Sequence, residues 1–309
     1  MGLLCTDCFV VSVVLNAHVV GLERFVNDDL TILVIHYRTP DILRECVMRL
    51  ESSAPGARII VIDSSPPGET PALNVETLNV PNHSFAHTVN CGLKHAETPY
   101  IAHMNADVFV SQETFPALLK AIREPGVGMV GPRARTQDGR LQGQGLPYRQ
   151  HHARLERNKQ GSVPVPWLSG CLQLVRAEAV AAVGGMDASL RFYNEDMEWC
   201  FRFRRAGWAC RLVKTDVLHL GGASTPKDPR FIVEGYRGGY RLSQRYHGGV
   251  YGQAHRAAVR LVSGWDKRFS RDPVQRQAAQ QVGEMFRQGN FDESPFGETL
   301  SDSNPQFLT

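Results

Sequence analysis

The chain has 309 residues, 42% of them hydrophobic, and a formal net charge of +3. So large an apolar share supplies a core and excludes wholesale disorder, while so mild a charge gives no electrostatic case for a nucleic-acid partner. Seven cysteines (Cys5, Cys8, Cys46, Cys91, Cys171, Cys200, Cys210) are scattered through apolar stretches without a paired framework, the usage of a reduced, cytoplasmic protein.

Residues 1–28 read as an appendage. The apolar run Phe9–Leu22 is interrupted by Asn16 and His18 and has no basic leader, and no stretch of the chain reaches the ~18 apolar residues of a membrane span. Leu30–His36 is a continuous apolar run, as a buried parallel strand requires. Pro40 suits the first turn of a helix carrying Leu43, Val47 and Leu50 at helical spacing, and Ala54-Pro-Gly56 stops it. Arg58–Asp63 is a second buried strand ending on a carboxylate. This opening contains neither Gly-x-Gly-x-x-Gly nor Gly-x4-Gly-Lys-Ser/Thr, so a dinucleotide-binding Rossmann site and a P-loop are both disfavoured.

A third short strand is expected over 74–80 and a helix capped by Ser84 over 85–96. A strand over 100–104 then ends abruptly in Asn105-Ala106-Asp107. In an extended chain side chains alternate, so Ile101, His103, Asn105 and Asp107 share a face. Ligands of open α/β sheets sit beyond the carboxyl ends of the strands, and a carboxylate there can hold Mg²⁺ or Mn²⁺ against a diphosphate. The competing reading is that Asn and Asp simply begin a turn.

A helix over 112–123 and a strand over 126–131 follow. Residues 132–166, rich in Gly, Pro, Gln, His and Arg, read as a flexible loop over a site. Trp167–Val175 reads as a strand and 177–183 as a helix broken by Gly184-Gly185. Glu195-Asp196-Met-Glu198 opens a helix that closes on Arg202, Arg204 and Arg205, an order that suits the helix dipole whether or not the acids do chemistry. Two closing strands, 210–213 and 217–220, precede C-terminal helices on which Arg237, Arg241 and Arg245 recur every four residues. Such a stripe is a solvated face or a set of donor-diphosphate contacts or, alternatively, a contact for anionic lipid. Residues 290–309 read as a frayed tail.

Taken in order, these pieces resemble an inverting family-2 glycosyltransferase of rhamnosyltransferase type. The resemblance covers roughly residues 30–250. It is carried by Tyr37-Arg38-Thr39, Asp63, Asn82-x-x-Phe85-Ala86-x-x-x-Asn90-x-Gly92, Asn105-x-Asp107, Trp167-x-x-Gly170, Gly184-Gly185-Met-Asp187, Glu195-Asp196 and His219. It implies a GT-A fold, Rossmann-like with a mostly parallel central sheet flanked by helices (29–225), and a helical C-terminal region (226–309).

By resemblance, Tyr37, Thr39, Asp63, Asn90 and Asn105 bind the nucleotide-sugar, Asp63 by accepting the imide N–H of uracil or thymine. Asp107 and His219 hold Mg²⁺ or Mn²⁺. Asp196 is the general base, and Trp167, Gly170, Tyr193 and Glu195 meet the acceptor. The implied partners are a dTDP- or UDP-sugar and a glycan or lipid-linked acceptor, with a cytoplasmic enzyme that touches the inner membrane peripherally. Ser84 and Ser64 depart from the family, which usually has Gly and Asn there, and that bears on donor identity. A non-catalytic nucleotide-sugar binder on the same fold is the alternative. A nucleotidyltransferase would need a Gly-rich loop where Tyr37-Arg-Thr-Pro40 stands.

Overall fold

The computed structural model describes residues 28–142, 146–222 and 227–297. Residues 1–27 of the expected appendage and the end of the expected tail, 298–309, lie outside the described residues.

The sheet begins as expected, with β1 (Leu30–His36), β2 (Arg58–Asp63), β3 (Glu76–Asn79) and β4 (Tyr100–Asn105) all parallel. Beyond them come β5 (Val108–Phe109), β6 (Val127–Arg135), β7 (Ser162–Pro164), β8 (Leu172–Arg176) and β9 (Ala209–His219). The order is β3-β2-β1-β4-β8-β6-β9-β5, with β7 also on β9. The sheet is mixed rather than mostly parallel: β8 runs antiparallel to both β4 and β6, and β9 is antiparallel to β5 and β7.

Side-chain alternation assigns each strand's residues to two cores. Leu30, Ile32 and Val34 of β1 face α1 (Pro40–Ser53) and α3 (Thr114–Ile122), against Leu43, Leu50, Phe115 and Leu118. On the opposite face, Leu33 joins Ala86 and Val89 of α2 (Phe85–Leu93), Ala179 of α5 (Ala177–Val183), and Trp199 and Phe203 of α6 (Glu195–Arg205). Burying each such large side chain is worth ~1.5–3 kcal/mol, which is why continuous apolar runs locate these strands. Gly92 is glycine for packing: a Cβ there would come within 2.8 Å of Leu33 Cδ1.

Several expectations are corrected. The stretch 132–166 is not a loop: β6 continues to Arg135, and α4 (Leu146–Arg157) and β7 follow. The helix was hidden because its inner side is written Tyr148, His151, His152, Leu155, at i, i+3, i+4 and i+7, and two of the four positions are polar. Trp167–Cys171 is irregular, and β8 starts only at Leu172. The two closing strands are one, β9, which pairs with β5, β6 and β7 near one edge of the sheet.

C-terminally, α7 (Pro229–His247), α8 (Gly249–Phe269) and α9 (Pro273–Gln288) share a third core around Tyr240, Val282 and Phe286. The arginine stripe on α7 is not one uniform solvated face. Arg237 is fully buried, its guanidinium donating to both Glu234 oxygens at 2.6 and 2.8 Å and to Ser189 O at 3.2 Å. Arg245 pairs with Asp187 at 2.5 Å. Residues 290–297 are packed, not frayed: Ser294 donates to Glu234, and Phe296 lies 5.0 Å from Phe192 and 4.8 Å from Phe231.

Candidate functional site

The carboxyl ends of β1 and β4 open into a cleft of about 450 Å³, where an open α/β sheet places its ligands. Its wall holds Tyr37, Thr39, Asn105, Asp107, Gly170, Tyr193, Glu195, Asp196 and His219, all expected from the sequence.

Asp107 and His219 meet because β5 reverses directly after the β4 turn and pairs with β9, setting Val108 opposite His219. Gly221 N–H donates to Asp107 Oδ2 at 3.1 Å. Oδ1 then lies 3.4 Å from His219 Nε2. A residue not anticipated, Gln142, settles the imidazole's hydrogen. Its Nε2 donates to His219 O at 3.1 Å, so its Oε1 is the atom that accepts from His219 Nδ1 at 2.8 Å. In the neutral ring Nε2 therefore bears a lone pair and faces a carboxylate oxygen. Two acceptors in that position repel, and a cation between them relieves the repulsion.

Among the described residues no third His, Cys, Asp or Glu joins this pair. Such a donor set fits Mg²⁺ or Mn²⁺, which commonly take one or two protein ligands and complete the shell with phosphates and water. Asn105 Oδ1, one residue before the turn, is buried without a partner.

Across the cleft, α6 begins with Glu195 and Asp196, where backbone N–H groups lack helical partners. Asp196 Oδ2 accepts from Gly170 N–H at 2.8 Å and Oδ1 from Met197 N–H at 2.7 Å. Gly170 permits this approach, since a Cβ on it would lie 3.3 Å from Asp196 Cβ. Burial raises the Asp196 carboxyl above its ordinary value, while the two N–H donors work to lower it. Glu195 is pushed further, up to about 8, by burial and then by the Asp196 charge, and its Oε2 has no partner. Of the two adjacent acids, Glu195 holds its proton at neutral pH, and Asp196 is the one whose charged form the backbone N–H groups favour.

The loop leading into α6 is strained. Tyr193 and Asn194 adopt left-handed backbone (φ 67° and 69°), a cost that persists only where the surroundings enforce it. Here α7 does so. Asn194 Nδ2 donates to Gly235 O at 3.0 Å, and a Cβ on Gly238 would lie 3.0 Å from that same nitrogen. Asp228, Arg230 and Phe231 from the start of α7, together with Phe296, complete the wall. The only signal for them in the sequence is Asp228-Pro229, which reads as an ordinary helix start.

Three expected residues are not part of the wall. Asp63 is fully buried; its Oδ1 accepts from His36 Nδ1 at 3.0 Å and from Ser65 N–H at 2.8 Å. Thr39 N–H donates to His36 Nε2, which places the ring's hydrogen on Nδ1. Burial works against the Asp63 charge, but the bonds from His36 and Ser65 outweigh it and hold the carboxyl well below the usual range. Its Oδ2 is buried without a partner, while its neighbours His36 and Ser64 line the cleft. Asn90 is a cross-link, with both amide atoms bonded to the Met186 backbone at 2.8 Å. Trp167 packs edge-on to Tyr148, 5.4 Å between centroids.

Residues 31–184, which include the β4 turn and Gly170, match the sequence profile of Glycosyl transferase family 2. The chain belongs to glycosyltransferase family 2. The N-acetylglucosaminyl-diphospho-decaprenol L-rhamnosyltransferases of two Mycobacterium tuberculosis strains are each 35% identical to it over 132 residues. The match covers 42% of this chain and 39% of each relative, so the chain spans well under half the length of these curated relatives. Among solved structures, that of GalNAc-T7 with UDP, GalNAc and Mn²⁺ superposes with a TM-score of 0.58 at 12% identity, covering 84% of this chain and 56% of that one. At that identity the likeness is one of fold: this family-2 glycosyltransferase has the GT-A architecture, with the helical region α7–α9 added to it.

Proposed function

We propose that the chain moves a sugar from a dTDP- or UDP-sugar to a hydroxyl acceptor with inversion, the sugar being of the rhamnose class and the acceptor a lipid-linked glycan. The reading is supported by the names of the 35%-identical relatives. The single observation that carries it is the Asp196 carboxyl, held by the Gly170 and Met197 N–H groups, facing the Asp107–His219 pair across one cleft.

Asp196 Oδ2 takes the proton of the acceptor hydroxyl as that oxygen attacks the anomeric carbon. The bond to the nucleoside diphosphate breaks on the opposite face, which inverts the centre. Gly170 N–H holds Asp196 in place, and Glu195, protonated, adds no second charge to repel the attacking oxygen. Mg²⁺ or Mn²⁺ held by Asp107 and His219 would supply positive charge to the departing diphosphate. Asn105 Oδ1 offers a buried acceptor to the donor's ribose, and Tyr37 and Thr39 border the same end of the cleft. Tyr193, at the rim, borders the acceptor.

The test is nucleotide release from a panel of dTDP-, UDP- and GDP-sugars with Mn²⁺ or Mg²⁺. Asp196→Asn should lose ~10²–10⁴-fold in transfer with nearly unchanged nucleotide affinity, and chelator should abolish turnover. Tight nucleotide binding with no transfer from any donor would leave a non-catalytic nucleotide-sugar binder. Full activity of Asp196→Asn removes the base.

A further inference from the structure

Helix α8 turns its buried side, Gly252, Val259 and Ser263, toward α7 and α9. The opposite side is apolar as well. Val250, Leu261, Trp265 and Phe269 fall within about a 100° arc of the helix, and Leu261 is 76%, Trp265 65% and Phe269 53% exposed. Ala254, Ala257 and Ala258 fill the same strip and are exposed. The strip runs for about 30 Å along the axis. Scattered exposed apolar residues are ordinary, whereas a continuous strip of this length marks a contact surface.

One border is cationic: Arg260 and Lys267 run along it, Arg268 rises within the strip with its guanidinium 5.6 Å from the Phe269 ring, and over residues 249–276 there are six Lys or Arg against two Asp. The only acid of α8, Asp266, points away and accepts from Gln275 Nε2 at 3.1 Å.

We propose that this face of α8 docks the protein flat on the surface of an anionic phospholipid bilayer. Charge complementarity selects that occupant. A second copy laid antiparallel on the same face would set that cationic border against its own counterpart, whereas an anionic leaflet attracts juxtaposed Lys and Arg. Trp, Tyr and Phe suit the headgroup boundary, where one side of a ring is wet and the other apolar. The helix lies on the bilayer and does not cross it, since no described helix is long and apolar enough to span. The proposal rests on α8 alone and is independent of the sugar-transfer reading, which its failure would leave untouched.

The experiment is sedimentation of the full chain with vesicles of equal parts phosphatidylglycerol and phosphatidylcholine, and with phosphatidylcholine alone. Binding is expected only with phosphatidylglycerol, weakened at roughly 1 M salt, where screening is nearly complete. The variant Leu261→Ser/Trp265→Ser/Phe269→Ser should bind at least tenfold more weakly yet unfold at the same temperature, because these side chains are exposed. The proposal is overturned if the chain does not sediment, or if the triple variant binds as well as the parent. It is equally overturned by a dimer that the triple variant dissolves in the absence of vesicle binding, which would give the face to a second copy. Loss of the parent's binding together with a lowered unfolding temperature in the triple variant would also refute it, since the face would then belong to the fold.

Discussion

Gln142→Ala isolates the part of the Asp107–His219 pair that a sequence reading does not find. The substitution removes two hydrogen bonds, to His219 Nδ1 at 2.8 Å and from Gln142 Nε2 to His219 O at 3.1 Å, and touches neither Asp107 nor the substrate cleft. If it only freed the ring to choose between two neutral tautomers, the cost to a cation at Nε2 would be a factor of about two, or about 0.4 kcal/mol. The ring also loses its orientation and its acceptor, however. Outer partners of metal-binding histidines typically matter 10–100-fold, or ~1.4–2.7 kcal/mol. Calorimetric titration of Mn²⁺ into the chain saturated with UDP or dTDP should therefore show a 10–100-fold weaker association for Gln142→Ala. In a His219→Ala background the same change should add almost nothing, because the two residues act through one nitrogen. Mn²⁺ affinity within twofold of the parent, or full additivity with His219→Ala, would refute the argument.

Two further outcomes follow from the buried charges. Glu195, at about 8 in the folded chain against an ordinary 4.5, holds a proton that the unfolded chain releases between those values, so its contribution to stability falls as pH rises through that window. Glu195→Gln should accordingly be most stabilising near pH 8, by an amount on the order of 4 kcal/mol at the upper bound, and least so near pH 5. Urea denaturation at both pH values checks this, and an equal effect at both contradicts it. Arg237→Met leaves Glu234 buried without its cation and should cost ~3–5 kcal/mol. The same denaturation series measures it, and a loss below about 1 kcal/mol would mean that water reaches the carboxylate.

The donor half of the cleft was legible because its physics is local. Continuous apolar runs can only be buried strands, and the polar residues ending them must project beyond the sheet. Asn105 and Asp107 were found on that logic, with the family resemblance supplying Asp196 and His219. The remainder depends on distance in space. Gln142 sits in what reads as loop, and nothing near it in the sequence points to a histidine on the last strand. Arg237 looked like one member of a solvent-facing stripe because spacing along a helix does not reveal that Glu234, Ser189 and Ser294 close over it. Asn90 resembles a ligand residue and serves as a cross-link, a distinction made only by the position of the Met186 backbone. The helix α4 escaped because histidine is scored as polar even where it lies against tyrosine.

The clamp between α7 and the loop at Ser189–Asn194 gives the protein a divided inheritance. The Asp107–His219 pair, to which the proposed function gives the departing diphosphate, is fixed by the sheet, through β4, β5 and β9. The opposite rim is fixed by helices appended after the sheet is complete, through Arg237, Gly235 and Phe296. Substitutions accumulating in the appended helices can reshape that rim while leaving the sheet's half intact. Descendants of one ancestral chain can thus diverge in what they glycosylate while continuing to draw on the same activated sugar.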